Sequence, residues 1–137
     1  MYQLQFAAVH SYGSEREGIS VPVLLKSGTK SMGLVASVDT GATFCLFRSE
    51  VAEALGLDFA NAASKRFRTA AGSFEAFGHD VEITVLGMTT FSTVYFFADA
   101  SFNKNVLGRV GWLDRFRVGL VDHDRELYLA GYDGELE

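Results

Sequence analysis

One cysteine, one proline and three histidines are all that 137 residues hold of these types. Cys45 has no second cysteine to pair with, so no internal disulfide staples the chain and a reducing compartment is the expected setting. Pro22 stands alone, and there is no Pro-rich linker. His10, His79 and His123 lie far apart and match no ligand spacing such as His-Glu-x-x-His, so neither a metal nor any other cofactor is expected. No apolar run reaches the length of a membrane span. The opening MYQLQFAAVHSYGSEREG lacks a basic segment followed by a long apolar one. The expected address is the cytoplasm, without membrane contact. Concentrated positive charge is missing too: 12 Lys and Arg against 17 Asp and Glu give a net charge of −5. A nucleic-acid surface needs clustered cations, and none is expected here. The short Lys65-Arg66-Phe67-Arg68 group reads as the solvated edge of a strand.

What is present is apolar side chain, 48% of the residues, enough to exclude a mainly disordered chain. The length fits one domain over residues 1–137 with a core of its own. Short runs of Val, Ile, Phe, Leu and Tyr alternate with Gly, Ser, Asn and Asp, the texture of β-structure. YQLQFAAVH alternates at Leu4, Phe6 and Ala8 as a half-buried strand. GISVPVLLK and MGLVASV flank SGTKS and predict a hairpin, and TFCLF a further strand. RSEVAEALGL predicts one short helix, with Ser49 as N-cap, Val51, Ala54 and Leu55 on the inner face and Gly56 as the stop. SKRFRTA and SFEAFGHDVEITVL predict a second hairpin, the longer arm alternating through Val81, Ile83 and Val85. TTFSTVYFFA adds a strand. NVLGRVGWLDRF turns at Gly108 and predicts a second short helix carrying Trp112, Leu113 and Phe116. VGLVDHDRELYLA closes with two strands around an HDR turn. The expected fold class is all-β with one or two short helices.

Within this pattern VASVDTGATFCLF places an ionisable residue, Asp39, between two apolar runs. Glycine lets backbone pass close to a neighbour where a Cβ would clash, and NVLGRVG repeats the same kind of feature later in the chain. Gly41 and Ala42 can turn backbone N–H groups toward the carboxylate, and the Thr40 hydroxyl both donates and accepts. The bland alternative is a turn aspartate capping its own loop. Cys45 sits in an apolar strand and reads as an inert small hydrophobe rather than a nucleophile. Gly72-Ser73-Phe74 lacks the second glycine of a nucleophile elbow, which disfavours a serine hydrolase.

VDTGAT followed by FCLF, the TAAGSF hairpin and the later VLGRVGWLDRF resemble the retropepsin-like aspartic proteases, the retroviral proteases and their cellular and bacterial relatives. Asp-Thr-Gly alone is a weak signal. Its place after an apolar strand, with Val106-Leu107-Gly108-Arg109 about seventy residues on, makes the resemblance specific. By element order it spans roughly residues 18–130.

The resemblance implies a retropepsin-like acid-protease half-barrel that works as a two-fold homodimer, since a chain of this size supplies one catalytic aspartate. It implies an aspartic endopeptidase with Asp39 of each copy activating a water, Thr40 bonding across the dimer, and Gly41 backbone aiding substrate. The substrate would be a peptide or protein segment, extended and flanked by apolar side chains. Ala42 would join the substrate site, and Ala70, Ala71, Gly72 and Ser73 would form a flap over it. Leu107, Gly108 and Arg109 would support the Asp39 loop. Two departures stand out. Many retroviral members carry an acid where this chain has Thr43; there it pairs with the arginine of Gly-Arg, so Arg109 needs another partner, for which Asp114 is the candidate. The flap has alanines where those relatives have glycines. Both departures keep a second function in view, a dimeric module on the same fold that binds peptides without cutting them.

Overall fold

The computed structural model describes residues 1–14, 18–70 and 72–132. Strand β1, Ala8–Ser11, starts later than the alternation of YQLQFAAVH predicts, because only from Ala8 onward does a neighbour strand accept its ladder. Strands β2, Ser20–Ser27, and β3, Lys30–Val38, form the first hairpin, turning at Gly28 with a φ of 59°. Val21, Val23 and Leu25 point inward from β2 while Pro22 and Leu24 face out, the period-two pattern of a half-buried strand.

The run TFCLF is strand only at its end, β4, Leu46–Phe47. Its first half crosses a loop instead, with one isolated parallel bridge between Phe44 and Val110. Helix α1 covers Ser49–Ala54. Its N-cap is Arg48 rather than Ser49, with no side-chain cap bond, and the buried face is Val51, Ala52 and Leu55. Ala54 faces outward: a helix of this length turns only one stripe inward, and position 52 lies on it. Gly56 ends the helix at a φ of 68°, its N–H reaching the Glu53 carbonyl.

Strands β5, Ala63–Thr69, and β6, Gly72–Val85, form the second hairpin, and β6 continues against β7, Met88–Phe97. Strand β8 is two residues, Val106–Leu107. The helix predicted after Gly108 shrinks to one 3-10 turn, Leu113–Arg115. Gly111 at a φ of 103° breaks the approach, and Phe116 already begins β9, Phe116–Val121. Strand β10, Glu126–Gly131, follows a single 3-10 turn that ends in left-handed Arg125.

The strands make two sheets. One runs β1-β10-β9; the other runs β2-β3-β8-β4-β7-β6-β5, and β2 also pairs with β6, closing the ring. Inside the ring lie Val21, Leu25, Phe47, Val81, Ile83 and Phe96, none with more than a trace of exposure. Trp112 and Leu127 join the same core from the C-terminal segment, so Trp112 is a packing residue. The N-terminal arm is tied down in its own chain: β1 pairs with β10, and the buried Tyr12 donates its hydroxyl to Asp122 Oδ1 at 2.5 Å. That bond to a carboxylate, with help from burial, pushes the Tyr12 phenol up to about 12. No helix among the described residues is long and apolar enough to cross a membrane.

Candidate active site

Strand β8 is the wedge that builds the site. It pairs parallel with β3 through Ser37–Val106 and Val38–Leu107, and antiparallel with β4 through Leu46–Val106. The chain leaving β3 at Asp39 is thereby pinned on both sides. Val38 N–H donates to Ile19 O at 2.8 Å and Asp39 N–H to Leu107 O at 3.0 Å. Beyond Asp39 the chain turns back on itself. Gly41 N–H donates to Asp39 Oδ1 at 2.8 Å, and Ala42 N–H to the Asp39 carbonyl at 3.2 Å. A Cβ on Gly41 would lie 3.2 Å from that same Oδ1, so a side chain there would press on the carboxylate.

A second loop runs along the first. Arg109 N–H donates to Ala42 O at 2.9 Å and Val110 N–H to Thr43 O at 2.7 Å. Gly108 fits beneath Phe44 with no room for a side chain, and its N–H meets the sulfur of Cys45 at 3.4 Å. Leu107, Gly108 and Arg109 thus touch the Asp39 loop through backbone. Cys45 is wholly buried, and burial pushes its thiol from 9.0 up to about 11, the opposite of an activated nucleophile.

Asp39, Thr40 and Gly41 are exposed on the single chain, so the acid between the two apolar runs stands at the surface. Asp39 Oδ2 and the Thr40 hydroxyl have no hydrogen-bond partner among the described residues. Thr40 shares a shallow recess with Thr43, Arg109, Val110 and Leu113. The expected Arg109–Asp114 ion pair does not form. Asp114 Oδ1 instead accepts from Gly111 N–H at 2.9 Å and faces Arg115 Nε at 3.5 Å, because the 3-10 turn folds Asp114 back over Gly111. Arg109 itself makes no ion pair among the described residues.

The β5–β6 hairpin stands opposite Asp39. Thr69 pairs with Gly72 at its tip, and the Thr69 hydroxyl donates to Gly72 O at 3.0 Å. Ala70, Gly72 and Ser73 are exposed there, Gly72 at a φ of 131° that favours glycine. Ala71 lies outside the described residues. Between this hairpin and the Asp39 loop opens a cleft of about 500 Å³. Asp39, Gly41, Ala42 and Thr69 border it, whereas Ala70, Gly72 and Ser73 do not. Its walls are aromatic. Phe67 and Phe74, directly paired across the hairpin, stack at 5.2 Å and 6°; Phe97 and Phe102 stack at 4.7 Å and 7°. Phe44 meets Phe67 edge-on at 5.8 Å, while Lys65 Nζ sits 4.3 Å over the Phe44 ring. Sequence reasoning passed over these walls. Once Thr69 and Gly72 are taken as the closing pair, a count back along both arms sets Phe67 opposite Phe74, a signal the hairpin already carried. Among the described residues no three His, Cys, Asp or Glu side chains converge as a metal site would require.

A closed β-ring that presents one Asp-Thr-Gly loop over an aromatic cleft, with a hairpin arching across, is an acid-protease type of fold. The model of the family described as aspartyl protease matches residues 21–110, and the chain belongs to that family. Its fold is retropepsin-like. A retropepsin-like aspartic protease from Rickettsia conorii, 18% identical, superposes with a TM-score of 0.64 over 90% of this chain and 97% of its own. The EIAV protease, solved in complex with an inhibitor and also 18% identical, gives 0.58 over 77% of this chain and 93% of its own. No curated protein matches the sequence.

Proposed function

We propose that this protein is an aspartic endopeptidase that acts as a homodimer, with one Asp39 from each copy forming the catalytic pair. The observation that carries the reading is the state of Asp39. It is an exposed carboxylate at the lip of an apolar cleft, with one oxygen held by Gly41 N–H and the other free. The chain has a single Asp-Thr-Gly, so a pair of such acids requires a second copy.

On a two-fold axis the two carboxylates would face each other and share one proton, because neighbouring like charges disfavour double ionisation. The ionised acid would take a proton from a water held between them. That water attacks the peptide carbonyl, while the protonated acid donates to the carbonyl oxygen. The tetrahedral intermediate then collapses as the leaving amine takes up a proton. Gly41 fixes which oxygen is free, and Thr40, unpartnered in the single chain, would bond across the axis to hold the two loops in register. The β5–β6 hairpin, with Ala70, Ala71, Gly72 and Ser73 at its tip, would close over an extended peptide and keep out bulk water. Arg109 and Thr40, side by side on the recess next to the loop, would lie at the contact between copies.

The test is cleavage of a mixed peptide library between roughly pH 4 and pH 7, where a carboxyl pair sharing a proton can act. Asp39→Asn should lower turnover by about a thousandfold or more while the dimer persists. Specific activity of the wild type should rise with protein concentration. Equal rates for the two proteins would overturn the proposal. Binding of peptides with no cutting by the wild type would favour the non-proteolytic dimeric module, a reading to which the unpaired Arg109 lends some weight.

A further inference from the structure

Asp39 stands where two recesses of different chemistry meet. On one side is the aromatic cleft. On the other is a groove of about 390 Å³ lined by Ser20, Ser37, Arg48, Asn103, Lys104 and Asn105. Asp39, Lys104 and Val106 border both. Apart from Asp39, every charged side chain on either recess is a cation: Arg68 in the cleft, Arg48 in the groove, Lys104 between them. In a chain of net charge −5 this is a local reversal of sign.

The three cations differ in availability. Arg48 is engaged by Glu50 at 2.9 Å, although its Nε is buried without a hydrogen-bond partner. Lys104 and Arg68 are exposed and make no ion pair among the described residues. Lys104 alone reaches the junction beside Asp39. An extended peptide sends successive side chains to opposite sides. A peptide lying across Asp39 would therefore put one side chain into the aromatic cleft and its neighbour into the cationic groove.

Resting on the peptidase reading above, we propose that the substrate carries an acidic side chain within two residues of the cleaved bond, beside a bulky apolar one, and that Lys104 reads the acid. An exposed lysine loses little hydration on engaging a carboxylate, so the contact favours the acidic peptide without a large desolvation cost. The attraction is between full charges in a partly enclosed site and should select Glu over Gln by about tenfold. It should weaken with added salt. It should also fade as pH falls through about 4.3, where the substrate's own glutamate becomes neutral.

The experiment uses matched peptides with one phenylalanine at the cut bond and Glu or Gln at each of the two positions on either side. The wild type should cut the best Glu peptide with a kcat/KM about tenfold above its Gln match. Lys104→Met should bring that ratio to near one, and Lys104→Glu should turn it toward a Lys-bearing peptide. A ratio near one in the wild type, or a ratio that survives both substitutions, overturns the proposal; cleavage of both peptides would leave the peptidase reading intact. The same peptides titrated by fluorescence anisotropy onto Asp39→Asn separate the two ideas if nothing is cut. Tighter binding of the Glu peptide, lost in the Lys104→Met double variant, supports the charge reading on its own, and equal affinities overturn it.

Discussion

Gly108 lies so close to Phe44 that a Cβ built on it would stand 2.2 Å from the Phe44 carbonyl oxygen and 2.8 Å from that of Ala42. Both obstacles are backbone, which cannot swing aside as a side-chain tip would. Gly108→Ala must push apart the two loops that hold Asp39 in place. The expected loss is about 3 kcal/mol or more, read from urea unfolding, together with loss of cleavage if the proposed peptidase activity holds. An unchanged unfolding midpoint would show that the loops can separate freely.

Cys45 makes a prediction about alkaline pH. Its folded-state thiol sits at about 11 against 9.0 when free, because burial disfavours the thiolate. Below pH 9 both states keep the proton and the chain has its full stability. As pH rises from 9 toward 11, the unfolded chain ionises first and stability falls, by about 3 kcal/mol for a shift of this size. Unfolding free energies of wild type and Cys45→Ala, compared across that window, should converge; parallel curves would sink the assignment. Thiol reagents near pH 8 should likewise leave Cys45 unmodified in the folded chain.

Arg125 sits at a φ of 55° after the turn between β9 and β10, a left-handed conformation that Asn adopts more readily. Its N–H and carbonyl make the structural bonds, to Asp122 O and from Tyr12 N–H, and substitution of the exposed side chain leaves both in place. Arg125→Asn should stabilise by up to about 1 kcal/mol. A lower thermal midpoint would mean that the guanidinium contributes more than the backbone strain costs.

Phe67 stacks on Phe74 at 5.2 Å and meets Tyr95 at 5.4 Å, forming one wall of the cleft. If the cleft takes an apolar side chain of the substrate, Phe67→Ala should lower kcat/KM by about tenfold, chiefly through KM. A fall carried by kcat alone would instead assign Phe67 to placing the hairpin during the chemical step.

Both hairpins, the Asp39 turn and the short helix were legible in the sequence, because each is a local pattern: alternation between turn residues, or a glycine stop after an apolar stripe. The aspartyl-protease membership rested on two motifs whose spacing no local rule generates. What stayed hidden depends on partners distant in the chain. Residues 2–7 alternate as β1 does, yet the ladder begins at Ala8, where β10 becomes available. TFCLF has strand composition, but the Ala42 and Thr43 carbonyls are taken by Arg109 and Val110 of the second loop, and the run bends. Asp114 looked suited to Arg109 by type and proximity. The 3-10 turn gives it to Gly111 and Arg115, a choice made by backbone geometry that residue types do not display. The cation at the cleft junction was equally unreadable, since Lys104 lies about 65 residues from Asp39 and only the β3–β8 pairing makes them neighbours.

The two-residue strand Val106–Leu107, wedged between β3 and β4, also sets an order of events in synthesis. The N–H of Asp39 has its acceptor at Leu107, so the acidic loop stays unfinished until a residue 68 positions further on has left the ribosome. Contacts spanning so much sequence close late and slowly. A nascent or prematurely ended chain therefore exposes the Asp-Thr-Gly segment without the strand that shapes it. The acidic loop and the short strand that completes it are therefore one late-closing unit, joined only once β8 can reach both β3 and β4.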